Sequence, residues 1–408
     1  MKKPLLALVA VGVLVIGPSS LSAAAASDPV EQVQTSAAVY LSDTGGVQTQ
    51  VASLSLSPGS WTITSNLSAI DFGSGDFVRC HLQSGATDID GGATVFLADR
   101  VANIVNAGTV VNTAKATIAL FCDHDKNSTA SNQFYVDAGT TLIAVEGGPI
   151  EGPGTTVAKP TVVESRSTAT TPLTESDLAA VTSVTLPKGN WALQGNGSDV
   201  NFGGFDYGAC VIESTAGTVS ENIGEAGSDG ADAAATDLDV DATVKVPARG
   251  ATVSFDCEPA SSDGTYMDAG ATLTATKTAA TEVEIPNVAL SDTGGALTTV
   301  VTQAMSAGAW RFSSQVSVGF ENPNNSFGGP SDFVRCELEA GKHVIGTVQT
   351  QLITTQANFQ EIENSGTYTS SKAWTLKEAC SHDATNTTAG HYSTIYGSLV
   401  GVEQGPIG

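Results

Sequence analysis

Three near-copies of one unit lie end to end in this chain, and that repetition limits the fold more than any other feature. Ser42-Asp43-Thr44-Gly45-Gly46 recurs as Ser291-Asp292-Thr293-Gly294-Gly295, and Asp76-Phe77-Val78-Arg79-Cys80 as Asp332-Phe333-Val334-Arg335-Cys336. The ending Ala144-Val145-Glu146-Gly147-Gly148-Pro149-Ile150 returns closely as Gly401-Val402-Glu403-Gln404-Gly405-Pro406-Ile407. Between them lies a more diverged copy, marked by Gly189-Asn190-Trp191 beside Gly59-Ser60-Trp61 and Gly308-Ala309-Trp310, and by Cys210 at the first-cysteine position. The period far exceeds that of solenoid repeats, so each copy is a domain with its own core. The predicted organisation is a leader over 1–26 and modules over 27–150, 160–278 and 283–408. The stretches 152–160 and 277–286 read as short, partly extended linkers.

Within each unit the apolar residues alternate. Trp61 with Ile63, Trp191 with Leu193 and Trp310 with Phe312 point one way, while Thr62, Ala192 and Arg311 point the other. Val78, Cys80 and Leu82 share one face, as do Ile118, Leu120 and Cys122 on a later run. Short period-two runs separated by Gly, Asn, Asp and Ser are the pattern of antiparallel sheets with one buried face. Charged residues make up only 14% of the chain and no long helical stripe occurs, which agrees with an all-β fold. The prediction is therefore three tandem antiparallel β-sandwich, jelly-roll-like domains, with the glycine of each Gly-x-Trp supplying turn freedom.

Met1-Lys2-Lys3, an apolar run from Leu5 to Ile16, and Ala24-Ala25-Ala26 form the three-part layout of a secretory leader, with cleavage expected after Ala26. No later segment is apolar for long enough to span a membrane as a helix. The formal net charge is −25, and losing two lysines with the leader makes the mature chain more acidic still. Nucleic acid is excluded as a partner, because a polyanion would be repelled and no basic stripe is present.

An exported chain with two cysteines per module, 42, 47 and 44 residues apart, predicts intramodule disulfides Cys80–Cys122, Cys210–Cys257 and Cys336–Cys380. In the chain-entropy model each contributes up to ~4 kcal/mol. The expectation is that each bridge draws two paired sheets together. The order of Gly-x-aromatic, first cysteine, second cysteine and a closing strand resembles disulfide-containing modules repeated in exported proteins of high-GC Gram-positive bacteria. It also resembles the jelly-roll layout of C1q/TNF-type domains, and that resemblance implies a sandwich that can trimerise, without implying an activity.

No catalytic signature is present: Gly-x-Ser-x-Gly, His-Glu-x-x-His and phosphate or dinucleotide loops are all missing. Cys122-Asp123-His124-Asp125 and Cys380-Ser381-His382-Asp383 pair an imidazole with carboxylates, but they follow core cysteines and read as turns at strand ends. Asp88 and Asp90, with Asp229 and Asp232, are the acidic candidates for calcium, the one cofactor the sequence suggests. Asp237, Asp239 and Asp241 alternate on a strand-like run and read as the wet face of an edge strand. The Gly-x-Trp tryptophans read as core, and Phe72, Phe202, Phe205, Tyr207 and Phe320 fall in loop-like stretches.

The sequence thus points to a secreted, noncatalytic structural or binding protein, adhesion-like, with an extracellular glycan or protein surface as partner. Two alternatives stand beside it. One is a secreted enzyme acting on a glycan through loops of one module. The other is a self-assembling surface or matrix component, in which case an oligomer is expected.

Overall fold

The computed structural model describes residues 30–147, 162–278, 280–321, 332–352, 359–383 and 391–404, apart from short interruptions at 74, 98–99, 129–132, 176, 203–205, 216, 227–233 and 260–263. The leader and the 152–160 linker lie outside these residues. Among the described residues every regular element is a strand, and no helix is long and apolar enough to cross a membrane.

Each module has eight strand positions. In the first they are Val30–Gln34 with Val39–Tyr40, Thr49–Leu56, Gly59–Asp71, Asp76–Ser84, Thr87–Asp88 with Ala93–Leu97, Arg100–Asn112, Ala116–His124, and Phe134–Val136 with Thr141–Glu146. The first, eighth, third and sixth make one antiparallel sheet in that order, and the second, seventh, fourth and fifth make the other. The second and third modules repeat both sheets. Two four-stranded sheets wound in this order form a jelly roll. The second predicted linker is mostly structure: Thr272–Lys277 is the last strand of the middle module, and Ala280–Glu284 is the first strand of the third, paired with His391–Glu403.

The alternation fills three separate cores. Trp61, Ile63, Leu67, Val78, Leu82 and Ile118 are buried in the first, and Trp191, Leu193, Ile212, Val253 and Phe255 in the second. Trp310, Phe312, Val334, Leu338 and Leu376 fill the third. At Gly59 and Gly189 the glycine answers to crowding beside the indole rather than to a turn, while Gly308 also holds a φ of 153°. A Cβ would fall 2.9 Å from the indole nitrogen at Gly59, 3.2 Å at Gly189 and 2.9 Å at Gly308.

All three disulfides form as paired in the sequence analysis. Their placement differs from expectation, because each joins directly opposed residues on the fourth and seventh strands of a single sheet, with Cα atoms 4.1 Å apart. They fasten neighbouring strands, while apolar side chains hold one sheet to the other.

The outward face of the first–eighth–third–sixth sheet is polar and nevertheless covered. Thr62, Thr64, Asn66 and Ser68 are buried, as are Gln194, Asn196 and Ser198, and Arg311, Ser313, Gln315 and Ser317. These faces meet one another around a pseudo-threefold axis. The eighth strand of each module reaches the sixth strand of another through equivalent residues. Thr272 donates to the Ala107 carbonyl at 3.4 Å, Ser398 to the Asp241 carbonyl at 3.1 Å, and the Thr141 hydroxyl meets that of Ser365 at 2.9 Å. First packs on second, second on third, and third on first, so one chain closes a three-module ring. Closure of a head-to-tail contact after three steps is the geometry of a cyclic trimer.

Candidate functional site

Among the described residues the sixth strands, Arg100–Asn112, Ala234–Val246 and Phe359–Ser370, pair only with the third strand of their own sheet, so each is a sheet edge. Edge strands carry backbone N–H groups that need partners. Here the neighbouring module supplies them. Asp237 Oδ2 accepts the N–H of Val105 at 2.6 Å, Glu361 accepts that of Asp239 at 3.4 Å, and Asn103 Oδ1 accepts that of Glu363 at 2.8 Å. Asn103, Asp237 and Glu361 occupy the same register position in the three modules, opposite Ser68, Ser198 and Ser317. Asp237, Asp239 and Asp241 therefore do sit on an edge strand, but the face is dry. They are 6%, 2% and 2% exposed because the first and third modules cover them.

Two positions further along, Val105, Asp239 and Glu363 face the axis from equivalent places. Gln194 holds the two acids together, its Nε2 donating to Asp239 Oδ2 at 3.3 Å and to Glu363 Oε1 at 3.2 Å. Its Oε1 accepts from Nη2 of Arg311, which also reaches the Thr64 hydroxyl at 3.2 Å. Three modules thus meet in one chain of hydrogen bonds. Oxygens of Asp239, Asp241 and Glu363 lie within 4.8 Å of one another, all buried.

Burial dominates the electrostatics. It pushes the Asp237 carboxyl up to about 8 and Asp241 to about 6, the latter held lower in part by Arg311. It also raises Asp239 and Glu363 well above the usual carboxylate range, with the charge of Asp241 raising Asp239 further and that of Asp239 raising Glu363. Arg311, buried as well, is pushed down from its ordinary value, and Asp241 is the charge that most opposes this. The core holds Asp237, Asp239, Asp241, Glu361 and Glu363 against one guanidinium, so it keeps protons or takes up a cation.

Two recesses flank this cluster. One is lined by Asn103, Val105, Asp237, Asp239, Glu361 and Glu363, the other by Gln194, Asp241, Thr276 and Arg311 among others. Each has a volume of about 10 Å³, room for one water.

The residues singled out from sequence fare differently. His124 and His382 end their strands as expected but are buried, and they serve as ties rather than turns. Nε2 of His124 donates to the Ser42 carbonyl at 2.6 Å while Nδ1 meets Asp76 Oδ2 at 3.2 Å; His382 repeats this with Ser291 at 2.7 Å and Asp332 at 2.9 Å. This accounts for the Ser-Asp-Thr-Gly-Gly repeat. Gly46 and Gly295, with φ of 73° and 74°, turn the loop so that their N–H groups reach the His124 and His382 carbonyls. With both nitrogens engaged, neither imidazole is open to a metal. Asp88 is exposed and accepts from Gln83 at 2.9 Å, whereas Asp90 is buried, accepts the Leu82 N–H, and is raised by burial to about 7. Asp229 and Asp232 lie outside the described residues, as do Phe205 and the Tyr207 side chain. Phe320 is core, while Phe72 and Phe202 are exposed. The cysteines near Glu378 are disulfide-bonded, so that group holds no metal. Arg311, Glu361 and Glu363 were missed.

No family model matches the chain, and no curated protein does. Among solved structures the chain is similar to the N-terminal CBM22-1-CBM22-2 tandem domain of Paenibacillus barcinonensis Xyn10C, at 11% identity, over 55% of this chain and 82% of that one, with a TM-score of 0.18. A likeness at that score carries no argument about function.

Proposed function

We propose that the chain is a noncatalytic extracellular binding protein, a rigid single-chain ring that presents aromatic side chains at one end. The observation that carries this reading is the placing of its exposed aromatics. At the end of the third strand, Phe72 is 54% and Tyr40 51% exposed in the first module, with Tyr40 5.5 Å from Tyr135. At the equivalent end of the second, Phe202 is 62% exposed and stacks on Tyr266 at 6.0 Å. Open aromatic faces of this kind suit the apolar faces of sugar rings or a protein surface. Three disulfides support an oxidising, extracellular setting.

Binding is favoured over hydrolysis because the converging carboxylates border water-sized recesses, far too small for a sugar ring. A ring closed within the chain favours a monomer over self-assembly, since the contacts that a trimer would use are already made. The test is binding of the full chain to a panel of extracellular polysaccharides, with light scattering in parallel. Saturable binding that weakens at least tenfold in the Y135A/F202A variant, by a particle of one chain's mass, is expected. Turnover of a glycan, or binding untouched by those substitutions, overturns the proposal.

A further inference from the structure

We propose that the ring binds a divalent, oxygen-liganded cation on its axis, calcium by its coordination, through Asp239, Asp241 and Glu363. The three carboxylates come from two modules, and an oxygen of each lies within 4.8 Å of the others. Oxygens that bind calcium at 2.3–2.6 Å stand at most ~5 Å apart across the ion, so the spacing fits without moving the strands.

In two of these carboxylates one oxygen, Asp241 Oδ2 and Glu363 Oε2, is buried without a hydrogen-bond partner. Such atoms cost free energy unless a proton or an ion meets them. Arg311, the buried guanidinium beside the group, spends its Nη2 on Thr64 and Gln194. A recess with room for a water reaches Asp239 and Glu363 along the axis, bordered by the further oxygens of Asn103, Asp237 and Glu361. An all-oxygen set with no imidazole or thiolate selects a hard cation over zinc.

The experiment uses the full chain, stripped with EDTA and titrated with calcium chloride by calorimetry at pH 8. One ion per chain and a higher Tm are expected. The D239N/E363Q variant should bind at least tenfold more weakly and, in EDTA, unfold no lower than the wild type. The inference is overturned if the wild type shows no saturable uptake at millimolar calcium, or if the variant binds equally. Should the variant fail to fold, the wild type still decides. Several weak ions taken up with no single saturable site would place them on the acidic surface and overturn the axial site.

Discussion

Gln194 of the middle module donates to Glu363 of the third at 3.2 Å, and through that one contact a neutral amide separates two buried acids from the guanidinium of Arg311. Replacing it by leucine keeps the volume and removes every one of its side-chain hydrogen bonds. Asp239 and Glu363 would each lose a donor, and Arg311 an acceptor. The Gln194→Leu variant is expected to lose about 2–4 kcal/mol in urea unfolding, since buried partners are left unsatisfied. A loss under about 0.5 kcal/mol would mean that this junction does not hold the ring.

Glu378 predicts a dependence on pH. It occupies the core position of Leu120 and Phe255, accepts from Ser314 at 2.9 Å, and burial pushes it from 4.5 to about 8. The folded state binds this proton more tightly than the unfolded one. Its contribution is therefore fully present below pH ~4.5 and is lost as pH rises through ~8, by up to about 5 kcal/mol in all. Asp237, raised to about 8, acts in the same direction. Tm should fall between pH 5 and 9, and Glu378→Gln should flatten that fall without lowering Tm at pH 5. A stability maximum above pH 8 in the wild type would refute both.

His124 predicts a local effect. Substituting alanine leaves Asp76 and the Ser42 carbonyl facing an apolar space beside Phe134, which stacks on the ring at 4.0 Å. A loss of about 3 kcal/mol is expected, the cost of breaking a buried pair. Hydrogen exchange should quicken around Ser42–Gly46 and stay unchanged around Ser291–Gly295, where His382 makes the same tie. Uniform quickening would show that the imidazole supports more than its own loop.

Much of this architecture is legible in the sequence. Trp61, Cys80 and Leu120 announce their faces by alternation, because a strand's side chains can only take turns. Alternation also placed Asp237, Asp239 and Asp241 together on one side of an edge strand. What it could not say was what lies against that side: a polar row beside water and a polar row beside another polar module have the same period. The missed Glu361 and Glu363 carried a faint signal, since aligning the three copies sets them opposite Asp237 and Asp239. His124 was misjudged for a related reason, because the carbonyl and carboxylate that occupy its nitrogens come from residues 82 and 48 positions away.

A ring of three separate, identical chains would repeat every residue at every equivalent place. Arg311 would then bring two more guanidiniums to the same few cubic ångströms, and Val105, Asp239 and Glu363 would have to be one residue type. Joining the copies covalently lifts that constraint. A lone positive group can sit among several negative ones, and the asymmetry records which copy stands where, so an exchange of modules between neighbouring molecules would misplace charge as well as break contacts.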